Sequence, residues 1–467
     1  MKSTKIELDL QSIVKKIVAE IDHNGGRALL VGGAVRDLLL GLPVKDLDIE
    51  VHGLTIDELQ ATLSKFGQVS LVGKAFGVLR LHGLDPAYAS NELRRTGIDW
   101  SLPRVDSAGR HPKVIIDPHM SLADAFKRRD LTINAMGIDL KTHELIDPWG
   151  GQEDLKKGIL RAPDAALFVE DPLRLFRVMQ FIGRFNMKPD KQLNEICAHM
   201  SLKGISVERI EAEFDKLLLK SKRPSLGIRW LLEIGRLHEI FPELAATIGV
   251  QQEPDWHPEG DVFEHAMQSL DAAAALEYTS DQEKLIVLYA TLCHDLGKVT
   301  TTKKIDGRLR SFGHEDAGVP LAKSMLKRLT RRVELIDAIA KLVKHHMDPS
   351  QFIANGAKAP AYKRLAKKLA PEVTIQILAK VSLADSRGRN ATSSLPLTKD
   401  MPDIDEFLRN AQQSEVVHKP EDPVLLGRDL AGIVEPGPKM GALLKKAYEI
   451  QIDEGIKDKQ ELLKRIL

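Results

Sequence analysis

Asp46 and Asp48 flank Leu47 in the stretch LLVGGAVRDLLLGLPVKDLDIEVHG, residues 29–53. In an extended segment, side chains i and i+2 share a face, with Cα atoms about 6–7 Å apart. Carboxylate oxygens so placed suit Mg²⁺, which binds through one or two carboxylates plus the phosphates of a substrate. Upstream, Gly32 and Gly33 lie between a strand-like run and a helix-like one. A glycine pair lets backbone amides approach a phosphate with no Cβ in the way, and the helix start adds the positive end of its dipole. Arg36, in the first turn of that helix, can reach the same phosphate. Nucleotidyl transfer needs this kind of positioning and charge neutralisation more than covalent chemistry from the protein. The plainer alternative is an ordinary turn followed by the wet face of an edge strand. Glu50 shares the face of the two aspartates but lies farther along, and it is not assigned as a ligand.

A second constellation is EDPLRLFRVMQF, residues 170–181. Asp171 suits an N-cap and Pro172 the first helical position. Asp171, Arg174 and Arg177 then fall on one helical stripe. Structurally this describes a capped helix with an Asp–Arg pair. Chemically, a carboxylate beside a guanidinium offers an acceptor and donors that match the pairing edges of cytosine and adenine. A third constellation is His265, His294-Asp295, His314, His345-His346 and Asp385. Imidazoles with carboxylates make a mixed N/O site for Mn, Ni, Fe or Mg-like ions. A single His–Asp pair is usually incidental, but this ordered series on helix-like segments is much harder to meet by chance.

The first stretch resembles the nucleotidyltransferases of the polymerase-beta superfamily and, more narrowly, the bacterial class II tRNA nucleotidyltransferases, the CCA-adding enzymes. The resemblance continues in order through KRRDLTINAMGID at residues 127–139, HELIDPWGGQEDL and EDPLR. It implies that Asp46 and Asp48 are the catalytic, Mg²⁺-holding carboxylates. It further implies that Gly32, Gly33, Arg36, Arg129, Glu170, Asp171, Arg174 and Arg177 bind the nucleotide, with Asp171 and Arg174 selecting C and A without a nucleic-acid template. Some members carry an arginine where this chain has Gln180, so a contact from that position is not carried over. ISVERIEAEFDKLL, residues 205–218, resembles a supporting helix, and a specificity-switching loop falls loosely within Arg94–Lys113. The histidine series resembles the HD phosphohydrolase domain. That implies His265, His294, Asp295 and Asp385 as ligands of one divalent ion, His314, His345 and His346 as ligands of a second ion or as outlying histidines, and Lys298 as a phosphate contact. The tail resembles the C-terminal segment of many tRNA nucleotidyltransferases, where Lys439, Lys445 and Lys446 can meet RNA backbone or simply pack. Agreement is weaker over Leu84–Lys113 and Ala391–Lys419.

Short strand-like runs (ALLVGG, DLDIEVHG, GVLRLHG, IDWSLP, KVIIDP, GIDL, HELIDPW) alternate with helices to about Leu160, and from Asp171 the periodicity is helical. The expected fold class is α+β: a mixed-sheet nucleotidyltransferase head over 1–160, a helical neck and body over 161–250, an all-α HD domain over 251–390, and a helical tail over 391–467. QQEPDWHPEG, residues 251–260, reads as a turn-rich joint. The chain of 467 residues is 43% hydrophobic and 28% charged, the composition of a soluble globular protein. Its two cysteines make no disulfide framework, and neither a signal-peptide core nor an apolar run of membrane length is present, so a reducing, cytoplasmic setting without a membrane is expected. With a net charge of +1, affinity for RNA must come from local basic clusters such as KLLLKSKR and YKRLAKKL rather than from the whole.

The expectation is therefore an enzyme, monomer or homodimer, that takes CTP and ATP and adds CCA to the tRNA 3′ end. Mg²⁺ would serve in the head. A transition metal (Mn, Ni or Fe) or Mg²⁺ would serve in an HD phosphatase or phosphodiesterase that trims blocked 3′ ends. CC-adding, A-adding or poly(A) synthesis uses the same chemistry. A protein-uridylylating signalling enzyme would also join the two domains, but it gives no reason for EDPLR. A binding-only RNA protein gives no reason for Asp46, Asp48, His294 and Asp295.

Overall fold

The computed structural model describes Ile6 and residues 11–44, 47–71, 77–106 and 114–467. Asp46 and the 107–113 part of the expected specificity loop lie outside the described residues. The chain divides into two units, Met1–Ser206 and Val207–Leu467, so the division runs through the expected 161–250 segment.

The first unit is built on a seven-stranded sheet. Its strands are β1 (Arg27–Val31), β2 (Asp48–His52), β3 (Gln68–Leu71), β4 (Val78–His82) and β5 (Ile98–Ser101), then β8 (Gly137–Asp139) and β9 (Leu145–Ile146). β6 (Arg104–Asp106) and β7 (Val114–Ile116) pair separately. The order is β3-β4-β5-β2-β1-β8-β9, and all neighbours are antiparallel except β2 with β5, which makes the sheet mixed, as expected. β1 explains the arrangement. Successive side chains of a strand point to opposite faces. Ala28 and Leu30 join a core with Ile17, Ile49, Val51 and Trp100, while Leu29 and Val31 join a second one with Ala125 and Phe126. A strand apolar on both faces belongs in the middle of a sheet. The helix Ser12–His23 covers the first face with Ile13, Val14, Ile17, Val18 and Ile21, at helical spacing. The register pairs Leu29 with Glu50 and Leu30 with Ile49. One step further sets Asp48 beside Val31, the last residue before the glycine turn.

The second unit is helical from Val207–Lys220 onward. Asp281–Cys293 is buried continuously from Leu285 to Cys293. A helix apolar all round is central, and Val262–Ala274, Val333–His345 and Ile375–Arg387 pack against it. Polar side chains start these helices by accepting the amide three residues on: Asp261 from Glu264, Ser280 from Glu283 and Thr374 from Ile377. A short hairpin, β12 (Lys303–Ile305) with β13 (Arg308–Arg310), interrupts the helical run. Its Asp306-Gly307 turn has both φ angles positive, 50° and 80°, as a tight two-residue hairpin requires. The tail helices Pro438–Glu454 and Lys459–Ile466 share a small core of Leu425, Leu430, Ala447, Leu462 and Ile466. Cys197 and Cys293 are both buried. No helix among the described residues is long and apolar enough to cross a membrane.

Gly297, just past the central helix, meets the start of the helix His314–Leu329 so closely that a Cβ there would lie 2.0 Å from the His314 carbonyl oxygen and 2.6 Å from the Gly318 nitrogen. Both obstacles are backbone. Overpacking of this kind costs about 1–3 kcal/mol or more. Gly297→Ala is therefore expected to lower the thermal midpoint by roughly 4 °C or more. Gly441→Ala, in open space inside Pro438–Glu454, should leave it unchanged or raise it. Differential scanning calorimetry of the two variants separates these outcomes.

Candidate nucleotide site and metal cluster

The first site starts at the end of β1. Gly32 has φ 72° and ψ −132°, and a Cβ there would stand 2.7 Å from Arg129 Nη1. A Cβ on Gly33 would meet nothing closer than Arg36 Nη2 at 3.4 Å. Only the first glycine is therefore demanded by the geometry. Its amide donates to the Met136 carbonyl at 3.2 Å, so the expected pair of phosphate-holding amides loses this member. Arg36 has partners within the protein. It is buried in the helix Gly33–Leu39, with Nε and Nη2 donating to Asp37 Oδ1 at 2.8 and 2.7 Å and Nη1 donating to Asn134 Oδ1. Its guanidinium lies 5.1 Å from the ring centres of both Phe181 and Phe185. The first turn aims this side chain onto the helix Leu173–Phe185.

Asp48 opens β2 as its exposed residue, and its negative charge acts on Arg129. Two residues on, Glu50 is fully buried. Its Oε1 lies 3.1 Å from His52 Nε2, and its Oε2 accepts from Arg128 Nη2 at 3.2 Å and Arg129 Nη2 at 3.5 Å. Burial works to raise the Glu50 pKa, but the His52 hydrogen bond and the charges of Arg129 and Arg128 leave it lowered. Glu50 thus remains ionised and fixes both arginines. The next residue, Asp130, is another buried carboxylate. It accepts from Arg177 Nε at 2.6 Å and from Asn134 Nδ2 at 2.9 Å. Burial acts to raise its pKa, and Arg177 and Asn134 outweigh that and lower it.

The helix Leu173–Phe185 begins one residue later than expected, with Pro172 at the cap position, yet Asp171 Oδ1 still accepts the Leu173 amide at 3.1 Å. Arg174 Nη1 donates to the Leu167 carbonyl at 2.7 Å and Nη2 to the Arg128 carbonyl. Burial lowers its pKa, against the charges of Asp130, Asp171 and the exposed Glu170. The charge of Asp48 thus acts on Arg129, the neighbouring Arg128 carbonyl holds Arg174, and Asp130 holds Arg177. Gln180 is 1% exposed and accepts from Arg184, so it faces the interior. Glu50 was recognised on the acidic face but not as an anchor for arginines, and Arg128, Asp130 and Asn134 were missed from sequence. The i, i+4 spacing of Asp130 and Asn134 was the available signal.

The second site surrounds Asp295. His294, His314 and His346 each place Nδ1 at 2.7, 2.8 and 2.7 Å from the carbonyl three residues back, on Thr291, Ser311 and Val343. A carbonyl only accepts, so Nδ1 carries the hydrogen and the neutral ring presents a lone pair at Nε2. His265 Nδ1 lies 2.7 Å from Glu259 Oε1 and 3.2 Å from the Gly388 carbonyl, which imposes the same tautomer. The Nε2 atoms then face one another at 3.2 Å (His265, His294) and 3.1 Å (His314, His346). Lone pairs at that distance repel unless a cation lies among them. Two donors about 2.1 Å from one ion, at octahedral or tetrahedral angles, stand about 3.0–3.4 Å apart.

Asp295 joins the two pairs. Oδ2 is 3.3 Å from His294 Nε2 and 3.6 Å from His265 Nε2, and Oδ1 is 3.3 Å from His314 Nε2 and 3.7 Å from His346 Nε2. Neither oxygen makes a hydrogen bond of acceptable geometry, although both are buried. Asp385 Oδ1 completes the first set at 3.1 Å from His265 Nε2. The residues fit one ion held by His265, His294, Asp295 and Asp385, and a second held by Asp295, His314 and His346. His345 does not join them. It turns to Asp348, with Nδ1 at 2.8 Å from Oδ2. Lys298 Nζ stands 2.7 Å from Asp295 Oδ2 and donates to Gln252 Oε1 at 2.8 Å.

The charges are mutually set. Burial opposes the charged form of His265, but hydrogen bonds to Asp385 and Glu259 push its pKa up to about 9. Burial acts to raise Asp295 and Asp385. Outweighing it, His294 and Lys298 hold the first, and Arg389 and His265 the second, well below the usual carboxylate range. His346 is pushed down to about 3 by burial and by His294 and His314. Sequence reading missed His257 and Glu259, although both stand just ahead of His265 in HPEGDVFEH. Glu259 Oε1 lies 2.9 Å from His257 Nδ1 as well as on His265, and burial plus the two histidines leave its pKa at about 2, the histidines outweighing the burial.

A mixed sheet carrying an acidic strand and an arginine-lined helix, joined to a helical unit with an HD-type metal cluster, defines a nucleotidyltransferase coupled to a metal-dependent hydrolase domain. The comparisons agree. Residues 28–161 match the poly A polymerase head domain, 191–248 the probable RNA and SrmB-binding site of polymerase A, and 262–387 the HD domain. A multifunctional CCA protein of Pasteurella multocida is 35% identical over 85% of this chain and 91% of its own. The chain belongs to the family of multifunctional CCA proteins. The fold is shared with a Thermotoga maritima CCA-adding enzyme complexed with tRNA (TM-score 0.58, 20% identity, covering 97% of this chain and 93% of that one). It is also shared with a Bacillus stearothermophilus CCA-adding enzyme in complex with CTP (TM-score 0.61, 19% identity, covering 97% and 96%).

Gly32→Ala would force a side chain into Arg129 at a positive φ, so nucleotide incorporation is expected to fall at least tenfold, while Gly33→Ala stays within about threefold of the parent. Steady-state incorporation with circular dichroism as a folding control checks this. In the second unit, an ion must displace the His265 proton. Because that pKa is raised from its ordinary 6.5 to about 9, Mn²⁺ affinity should climb as pH rises through this window, with protons released on binding. Titration calorimetry in buffers of different ionisation enthalpy measures both. Glu259→Gln should flatten the slope and lower affinity about 10–100-fold.

Proposed function

We propose that this chain adds CMP, CMP and AMP to tRNA 3′ ends from CTP and ATP, and that its second unit hydrolyses phosphate esters, so that blocked 3′ ends are cleared and then extended. The reading is supported by the acidic strand position Asp48, whose charge acts on Arg129, and by Arg174, which donates to the Arg128 carbonyl next to it in sequence. The names of the relatives, with tRNA bound to one and CTP to another, supply the substrates.

In the head, Asp48 with Asp46 would hold Mg²⁺. That ion, when bound, activates the attacking hydroxyl and stabilises the leaving pyrophosphate. The 3′ hydroxyl oxygen bonds to the α-phosphorus as the bond to the β-phosphate oxygen breaks. Arg129, immobilised by Glu50, offers charge to the incoming nucleotide. The Leu167 and Arg128 carbonyls fix the plane of the Arg174 guanidinium, so base selection with Asp171 costs little reorganisation. Asp130 anchors Arg177 in the same way. In the second unit the nitrogen-rich donor set suits Mn, Ni or Fe better than Mg²⁺. His265, His294, Asp295 and Asp385 would hold one ion and Asp295, His314 and His346 a second. Such ions generate a nucleophile from water at neutral pH.

The two activities are expected to separate. Asp48→Ala should abolish incorporation, by about 100-fold or more, and leave phosphate-ester hydrolysis intact. His294→Ala with Asp295→Ala should do the reverse. Incubating tRNA that ends at the discriminator base with CTP or ATP singly, then with both, distinguishes CCA addition from CC-only or A-only products. Coupled loss of both activities in either variant would overturn the two-site reading.

A further inference from the structure

Among the exposed aromatic residues, two lie on one cavity. Trp256 is 57% exposed and Phe312 73% exposed, and both line a cavity of roughly 300 Å³ that also reaches Asp295, His314, Lys298 and Arg310. Leaving a large aromatic face in water forfeits about 1.5–3 kcal/mol relative to burying it, so such faces are usually covered. Tyr88, 41% exposed, has Lys16 Nζ 3.2 Å from its ring centre.

The two rings are also carried on fixed segments. The Trp256 amide donates to the Glu253 carbonyl at 3.0 Å, and the Glu253 side chain accepts the Leu309 amide at 2.9 Å, which ties the Trp256 turn to β13. Phe312 stands between Ser311, whose carbonyl takes the His314 ring hydrogen, and Gly313, whose φ of 74° turns the chain into the helix that begins at His314. Phe312 is thus held two residues from a candidate metal ligand.

We infer that Trp256 and Phe312 are the specificity-determining residues of the hydrolase site, and that they stack on the base of a nucleotide whose phosphate reaches the Asp295 cluster. The inference rests on the hydrolase reading above and deepens it. Aromatic stacking accepts any base, because every base has a π face. The site should then discriminate base-bearing phosphates from base-free ones without choosing strongly among bases.

The test uses the full-length protein with Mn²⁺ and two pairs of substrates: adenosine 3′-monophosphate against glycerol 2-phosphate, and adenosine 2′,3′-cyclic phosphate against glycerol 1,2-cyclic phosphate. The double variant Trp256→Ala, Phe312→Ala is expected to lose about tenfold or more in kcat/KM, mainly through KM, on the adenosine members alone. Trp256→Phe with Phe312→Tyr should restore most of it. As a readout without turnover, adenosine 3′-monophosphate should quench tryptophan fluorescence of the metal-free protein, and Trp256→Phe should remove that quenching. Equal losses on both members of a pair, or none on the adenosine member, overturn the inference while leaving the hydrolase reading standing. If the unaltered protein hydrolyses no member of either pair, the hydrolase reading fails and this inference falls with it.

Discussion

A buried carboxylate whose two oxygens lack hydrogen bonds, ringed by imidazoles with their lone pairs turned inward, is the constraint from which the second unit is best understood. Asp295 is almost wholly withdrawn from solvent, and the histidines around it are held by their other nitrogen. Three backbone carbonyls and one glutamate settle the tautomers before any ion arrives. At His294 and His346, just past the ends of their helices, ordinary helix geometry brings the carbonyl three residues back within reach, and at His314 the turn before its helix does the same. The central helix Asp281–Cys293 delivers His294 and Asp295 into the interior because it is apolar on all sides.

The head applies the same logic to arginine. Buried Glu50 pairs with Arg128 and Arg129 and buried Asp130 with Arg177, while backbone carbonyls fix Arg174. Charges in a dry interior must be paired, so pairing doubles as positioning. Arg36 is paired with Asp37 and Asn134 in the same way and lies against Phe181 and Phe185, where it braces the helix Leu173–Phe185.

Much of this was legible in the sequence. Short apolar runs marked β1 and β2, alternation marked β4 and β5, and the histidine series marked the candidate metal cluster. What escaped has identifiable physical causes. β3 is short and mostly exposed, with only intermediate burial at Val69, so it carries no apolar signal. His345 and His346 are adjacent, and neighbours on a helix point about 100° apart, so only one can face the cluster; the sequence does not say which. His257 and Glu259 sit in a stretch whose Pro and Gly residues read as a joint, and loops are where functional groups hide from periodicity. The direction of Arg36 depends on rings far along the chain. The β12–β13 hairpin is signalled only by its Asp306-Gly307 turn, since its strands are short and lie between helices.

Gly388 makes the same kind of approach as Gly297: a Cβ there would lie 2.0 Å from Ser269 Oγ, on the helix that carries His265. Between them, the two glycines hold the ligand-bearing segments at backbone contact. These residues serve packing whether or not an ion is ever bound. A descendant that had abandoned hydrolysis could shed its histidines freely and still be obliged to keep both glycines, so in such a lineage the glycines would record ancestry and the histidines would record use.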